Sequence, residues 1–318
     1  MNTSSANVTV VVQSRDSLTK AVTKNVIVVL LGIFINYING GLIQTFCKHQ
    51  IFYINPRYIL FIHLVVNDTI QLTLTIILFV ISYVLHKINV SICCIFILIA
   101  IFTTANTPLN LACMAVECFI AICLPLRHPH ICTVKRTLML IGLIWATSVL
   151  SALPDLFFTL ATEPQDFFHS RVFCVPQTVF PNPLIIKKRD ILYSVFLVLV
   201  WVTIFYTYFR ILFTAKTASK DVTKARNTII LHGFQLLLCM VTILHGFQLL
   251  LCMVTYVAPQ IKQAVLQAFP KNYSDSLFAC YIIIQVLPRS ISPIIYGIRD
   301  KTFRRYLKRY VLWKITPQ

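Results

Sequence analysis

Long apolar runs, each closed off by a few polar or charged positions, set the rhythm of this chain. Runs of about 20 residues or more, the length a helix needs to cross a bilayer, occur seven times: 26–46, 58–85, 92–124, 138–161, 191–213, 228–258 and 277–298. The links are short, except between the fourth and fifth runs. Backbone groups in lipid must be satisfied inside a helix or a closed barrel, and runs this continuous lack the alternation of barrel strands. The pattern predicts an all-α membrane protein of one domain, residues 1–318. A seven-transmembrane helix bundle (25–298) lies between a polar N-terminus (1–24) and a short tail (299–318). The N-terminus has no apolar core of a cleavable signal, so the first span is expected to act as its own insertion signal.

Composition agrees. The chain is 58% hydrophobic and only 12% charged, with a mean hydropathy of +0.79, about half the charged fraction of a soluble protein. The net charge of +18 does not point to nucleic acid, because the basic residues flank apolar runs rather than striping a polar domain. With the N-terminus outside, about 17 of the 28 Lys+Arg fall on cytosolic segments. Asp16, Asp155, Glu163, Asp166, Asp190 and Asp275 offset the basic residues outside. The positive-inside rule therefore favours that orientation, although Lys187-Lys188-Arg189 opposes it. Glycosylation acceptors at Asn2, Asn7, Asn89 and Asn272 fall on the predicted outside, whereas Asn67 lies within a span. In the tail, Phe303, Leu307, Tyr310 and Val311 recur at helical spacing opposite Arg304, Arg305, Lys308 and Arg309. That predicts an amphipathic helix lying on membrane lipid.

One segment breaks the pattern. Residues 230–242 read Ile-Leu-His-Gly-Phe-Gln-Leu-Leu-Leu-Cys-Met-Val-Thr, and 243–255 repeat them unchanged. Thirteen extra helical residues add about 20 Å and turn the remainder of the helix by roughly 220°. His232 and His245 are thus copies about 20 Å apart, not a metal pair. No phosphate loop, metal-ligand spacing or nucleophile–base set is present, so neither an enzyme, a cofactor nor a metal is expected.

Residues 114–128, Met-Ala-Val-Glu-Cys-Phe-Ile-Ala-Ile-Cys-Leu-Pro-Leu-Arg-His, run from the third apolar block into a basic loop. With Lys224-Ala225-Arg226-Asn227-Thr228 and Pro293-Ile294-Ile295-Tyr296-Gly297, they resemble rhodopsin-like G-protein-coupled receptors of the odorant-receptor family, fish type. Asp68 and Trp145 also sit where that class has its own. The resemblance implies a receptor that binds a small-molecule odorant and activates a heterotrimeric G protein, of the stimulatory type, at the plasma membrane. It implies a disulfide between Cys93 and Cys174, with Cys94 the rival to Cys93. It also assigns G-protein coupling to Glu117, Cys118, Phe119, Arg127, Lys224 and Arg226. Relatives have Arg where this chain has Cys118, so Glu117 lacks a neighbouring cation and is expected to turn to Arg136 or His128, or to hold a proton.

An ionisable group at membrane depth is a functional candidate by default. Asp68 is expected to form an intramembrane polar core with Arg289, Ser292, Pro293 and Tyr296. Arg289 either faces the bundle and neutralises Asp68 or extends to the outer surface. Pro293 kinks the seventh span, as a hinge or as plain structure. Counting from the matched motifs places a ligand pocket at Ile101, Thr104, Ala105, Leu192, Phe196 and Tyr256. A small-solute transporter is the alternative, although no inverted half-repeat is visible. A receptor impaired by the duplication is another.

Overall fold

The computed structural model describes residues 18–85, 87–218, 273–286, 289 and 305. Five helices long and apolar enough to cross a membrane lie in this part: α1 (Leu18–Lys48), α2 (Pro56–Val84), α3 (Val90–Cys123), α4 (Val134–Thr162) and α5 (Pro183–Ala218). The sixth run, with its duplication, and the tail beyond 289 other than Arg305 lie outside the described residues. The seventh run begins as a helix, Tyr273–Tyr281, and widens into a π turn, Ile282–Val286.

Helix starts follow local capping. Asn55 precedes Pro56, and its side chain accepts from the Arg57 amide at 3.0 Å. Asn89 does the same for Ser91 at the start of α3, and Thr133 caps α4. Each satisfies an N–H that the first turn leaves without a helical partner. Two helices begin well before their apolar runs. The helices α1 and α5 include polar turns (Lys20 and Lys24; Lys187, Lys188 and Arg189) that precede their apolar runs, so the helical backbone begins before the hydropathy does.

α3 is the axis of the described bundle and packs against α2, α4 and α5, while α1 lies along α2. Leu64, Leu111, Ala115, Leu197, Val200 and Ile204 form the contact of α2, α3 and α5. The α1–α2 contact is close at Gly32, where an added Cβ would overlap the tip of Ile76. The polarity of a soluble helix is inverted. Leu30, Ile33, Phe34 and Tyr37 of α1, and Leu143, Leu150 and Phe157 of α4, are exposed. Asn39, Asn67, Asp68, Thr103, Asn106 and Ser148 are buried. A lipid-facing surface can be wholly apolar, and polar groups find partners only between helices.

At one end of the bundle, a two-stranded ladder pairs Ile88 with Val172 and Asn89 with Arg171. It brings Cys174 to the first turn of α3, where it is bonded to Cys93 with the Cα atoms 5.5 Å apart. Cys94 is buried and free. The bridge covers a compact apolar cluster that includes Ile97, Val179, Phe180 and Ile185. This is the disulfide end; Glu117 lies toward the other.

Candidate functional site

At the Glu117 end, the residue after the buried acid is Cys118, so no cation stands beside it in the sequence. The structure supplies a cation from another helix. Arg57, in the capped first turn of α2, donates Nε–H to Glu117 Oε2 at 3.1 Å. His128 Nε2 lies 3.0 Å from the other oxygen, Oε1. The Glu117 side chain is 7% exposed, so a charged carboxylate there needs such partners. Arg136 donates instead to the carbonyl oxygens of His130 and Ile131, closing the turn of the loop after α3. In the sequence, Arg57 is only one positive charge among many. Its signal is the Asn-Pro-Arg start of α2, which sets it in a rigid first turn beside α3.

The rest of this end converges on the same loop. Phe119 faces Tyr206 of α5, ring centres 6.3 Å apart. The Cys123 thiol lies 3.4 Å from the Thr214 hydroxyl, and Cys118 is half-buried. Arg127 is exposed, and Leu126 beside it is 91% exposed. A cleft of about 490 Å³ opens between the link from α1 to α2 and the loop after α3, lined by Ile54, Pro56, His128, Pro129 and Cys132 among others. Burial raises the Cys132 thiol above its ordinary value, and the nearby Glu117 charge adds to this. Lys224 and Arg226 lie outside the described residues.

Mid-bundle, Asp68 is fully buried, with the Thr107 hydroxyl 3.4 Å from Oδ1. Its neighbour Asn67 donates to Thr107 Oγ1 and to the Thr103 carbonyl, both at 2.9 Å. Ser148 of α4 donates to Asn106 Oδ1 at 2.6 Å. Another polar chain links α4, α2 and α3. Trp145 Nε1–H donates to His63 Nε2 at 2.9 Å, and His63 Nδ1 lies 3.2 Å from Asn110 Oδ1. Since Nε2 accepts, the proton sits on Nδ1 and is donated to Asn110. Asn110 then donates to the Leu60 carbonyl. Trp145 is visible from the sequence as a class position, but His63 and Asn110 are not, because lone polar residues in an apolar run carry no periodic signal.

Arg289 is 9% exposed. Its Nη1 lies 3.5 Å from Thr75 Oγ1, seven residues or about 10 Å along α2 beyond Asp68. Tyr281 donates to the Thr75 carbonyl and stacks on Phe79. Ser292, Pro293 and Tyr296 lie outside the described residues.

Toward the disulfide end, Ile101 packs against the covered cluster. Thr104 accepts from Gln71 Nε2 at 2.5 Å and is thereby tied to α2. Ala105, Leu192 and Phe196 are half-buried. Pro108 lacks the N–H that would bond to the Thr104 carbonyl, which loosens α3 at this level. Tyr256, Asn2 and Asn7 lie outside the described residues. Among the described residues no group of three His, Cys, Asp or Glu side chains could hold a metal.

An apolar helical bundle with a bridged first turn of α3, a buried acid at the far end and a polar mid-plane fits a multi-pass membrane protein. Residues 38–296 match the 7 transmembrane receptor (rhodopsin family) profile, and the chain belongs to that family. It is therefore a receptor rather than an enzyme, of a class that takes a small-molecule ligand and couples to G proteins. It is also similar to "Odorant receptor 131-2" of Danio rerio, 30% identical over 286 residues, covering 89% of this chain and 83% of the relative.

Proposed function

We propose that the protein is a chemosensory receptor of the plasma membrane, its N-terminus and disulfide end outside and its Glu117 end in the cytosol. A small odorant entering between α3, α5 and the sixth helix shifts the bundle between two arrangements, and the Glu117 end then engages a heterotrimeric G protein of the stimulatory type. The observation that carries this reading is the 30% identity to an odorant receptor over 89% of the chain. The exposed Leu126 and Arg127 support it, because an apolar anchor beside a cation suits a protein contact. Asn2 and Asn7 carry glycans in this orientation, and the basic tail rests on inner-leaflet lipid. Asp68 and Arg289 belong to one polar core with Ser292, Pro293 and Tyr296, and a shift there repacks the seventh helix.

The test is receptor-dependent nucleotide exchange and cyclic AMP in cells expressing the full chain. Leu126→Asp is expected to lower exchange about tenfold or more with unchanged surface staining. Solute uptake into vesicles lacking G protein, with no exchange in cells, would replace the receptor reading by the transporter one.

A further inference from the structure

The cleft of about 490 Å³ at the Glu117 end has two largely apolar walls. Ile51, Ile54 and Pro56 form one, in the link from α1 to α2 and the first residue of α2. Pro129, Cys132 and Val134 form the other, in the loop after α3 and the first residue of α4. The volume falls in the ordinary range for a bound organic molecule, about 300–1,000 Å³. Ile54 is 74% exposed and Ile51 is half-exposed, and apolar side chains left open together at a rim favour an apolar occupant over water. Hydrocarbon is close by. Leu138, Met139 and Leu143 of α4 are exposed on its lipid-facing side, and Val134 lies one turn, about 6 Å, before Leu138. The cleft thus opens where the helices leave the membrane core.

The segments that carry these walls are basic throughout. Residues 47–57 and 127–136 hold five Lys or Arg and no Asp or Glu. Arg57 is bound to Glu117, and Arg136 to the carbonyl oxygens of its own loop. Lys48, Arg127 and Lys135 are exposed. They flank the walls in the chain, three residues before Ile51, two before Pro129 and directly after Val134. Glu117 is buried between Arg57 and His128, so it does not offset these three charges. A soluble anion would leave the apolar walls unfilled, and a neutral lipid would leave the cations unmatched. An anionic lipid satisfies both, because basic segments at a membrane surface attract its headgroup and the walls take its chain.

Resting on the reading that places the Glu117 end in the cytosol, we propose that this cleft seats an anionic glycerophospholipid of the inner leaflet. Its chain lies between the walls and its phosphate meets the exposed cations that flank them. The seat also braces the contacts of Glu117. His128 lines the cleft and lies 3.0 Å from Glu117 Oε1. Asn55 lines it too, and its side chain accepts from the Arg57 amide. A lipid that holds the two walls together keeps both partners of Glu117 in place, which lowers ligand-independent exchange.

The experiment uses the full-length protein in nanodiscs of phosphatidylcholine, alone or with phosphatidylserine added. Both leaflets are alike, so orientation does not enter. Labelling by N-ethylmaleimide is followed by peptide mapping at Cys132, inside the cleft, and at Cys47, exposed at the end of α1. Phosphatidylserine is expected to slow Cys132 several-fold and to leave Cys47 unchanged. Ile54→Asp, which puts a carboxylate on the exposed rim, and Lys135→Gln should each bring the Cys132 rate back up. Equal slowing at both thiols or no slowing at Cys132 would overturn the proposal. So would equal protection by soluble glycerol phosphate, or protection that follows receptor density or added G protein instead of phosphatidylserine. If Ile54→Asp does not fold, Lys135→Gln and the Cys132–Cys47 contrast decide. Ligand-independent nucleotide exchange in the same discs should fall several-fold with phosphatidylserine, and an unchanged or raised rate would overturn the bracing of Glu117. Exchange absent from every disc removes the receptor reading and leaves the labelling result standing. Staining an epitope at the Glu117 end in intact and permeabilised cells checks the orientation separately.

Discussion

The Glu117–Arg57–His128 cluster is a lock made across helices. In the family motif that residues 114–128 resemble, an arginine directly follows the acid, which would keep their pairing within one helix. Here Cys118 replaces the arginine, and Glu117 reaches from α3 to α2 and to the loop after α3. Separating α3 from α2 at this end must break it. Arg57→Gln and Glu117→Gln are each expected to raise ligand-independent nucleotide exchange several-fold. The double variant should exceed neither, because both remove one interaction. Cys118→Arg restores a local cation and should bring Arg57→Gln back toward wild-type basal exchange; an unchanged Arg57→Gln background would refute the shared-lock account. His128 is among the partners expected from the sequence, but Arg57 is not, since positions 57 and 117 lie on different helices and a lone arginine at a helix start has many possible roles.

At the level of elements, two clasps hold the disulfide end. The first is covalent. Cys93→Ser or Cys174→Ser should lower stability by about 2–5 kcal/mol, read as an earlier melting midpoint, whereas Cys94→Ser should change it by less than about 1 kcal/mol. The second is electrostatic. Lys24 Nζ lies 2.8 Å and Lys20 Nζ 3.1 Å from the two Asp275 oxygens, joining α1 to the helix Tyr273–Tyr281. Hydrogen bonds from Lys24 and then Lys20 hold the Asp275 carboxyl below its ordinary range. A depressed acid stabilises the fold above the unfolded value, about 3.9, and that contribution is lost as pH falls through the lower folded value. The melting gap between wild type and Asp275→Asn should stay constant from pH 7 to about 5 and close toward pH 3. A gap that widened on acidification would reverse the sign. The helices themselves are legible as apolar runs, but their polar extensions are not. Lys20, Lys24 and Lys188 precede the apolar runs of their helices, where the hydropathy signal is absent and the backbone helix is not.

For the whole molecule, the duplication at 243–255 poses the largest question for function. If the sixth run is helical, as its sequence predicts, 13 extra residues would either carry it past the membrane or turn its outer half out of register. Removing residues 243–255 is expected to increase surface staining and evoked exchange if the insertion disturbs the bundle. Equal levels of both would mean that the extra turns are carried outside the hydrocarbon.

Apolar block length alone determined the membrane class and the seven runs, because a bilayer demands about 20 buried residues per helix whatever they pack against. The short motifs around Glu117 and Pro293 carried the family, since they lie at fixed places on those runs. Which face of each helix turns inward was decided only in three dimensions. With apolar residues facing both lipid and core, hydrophobic periodicity no longer separates the two, and buried polar groups take their meaning from neighbours far away in the chain. Glu117 finding Arg57 and His63 joining Trp145 to Asn110 are both tertiary facts of that kind.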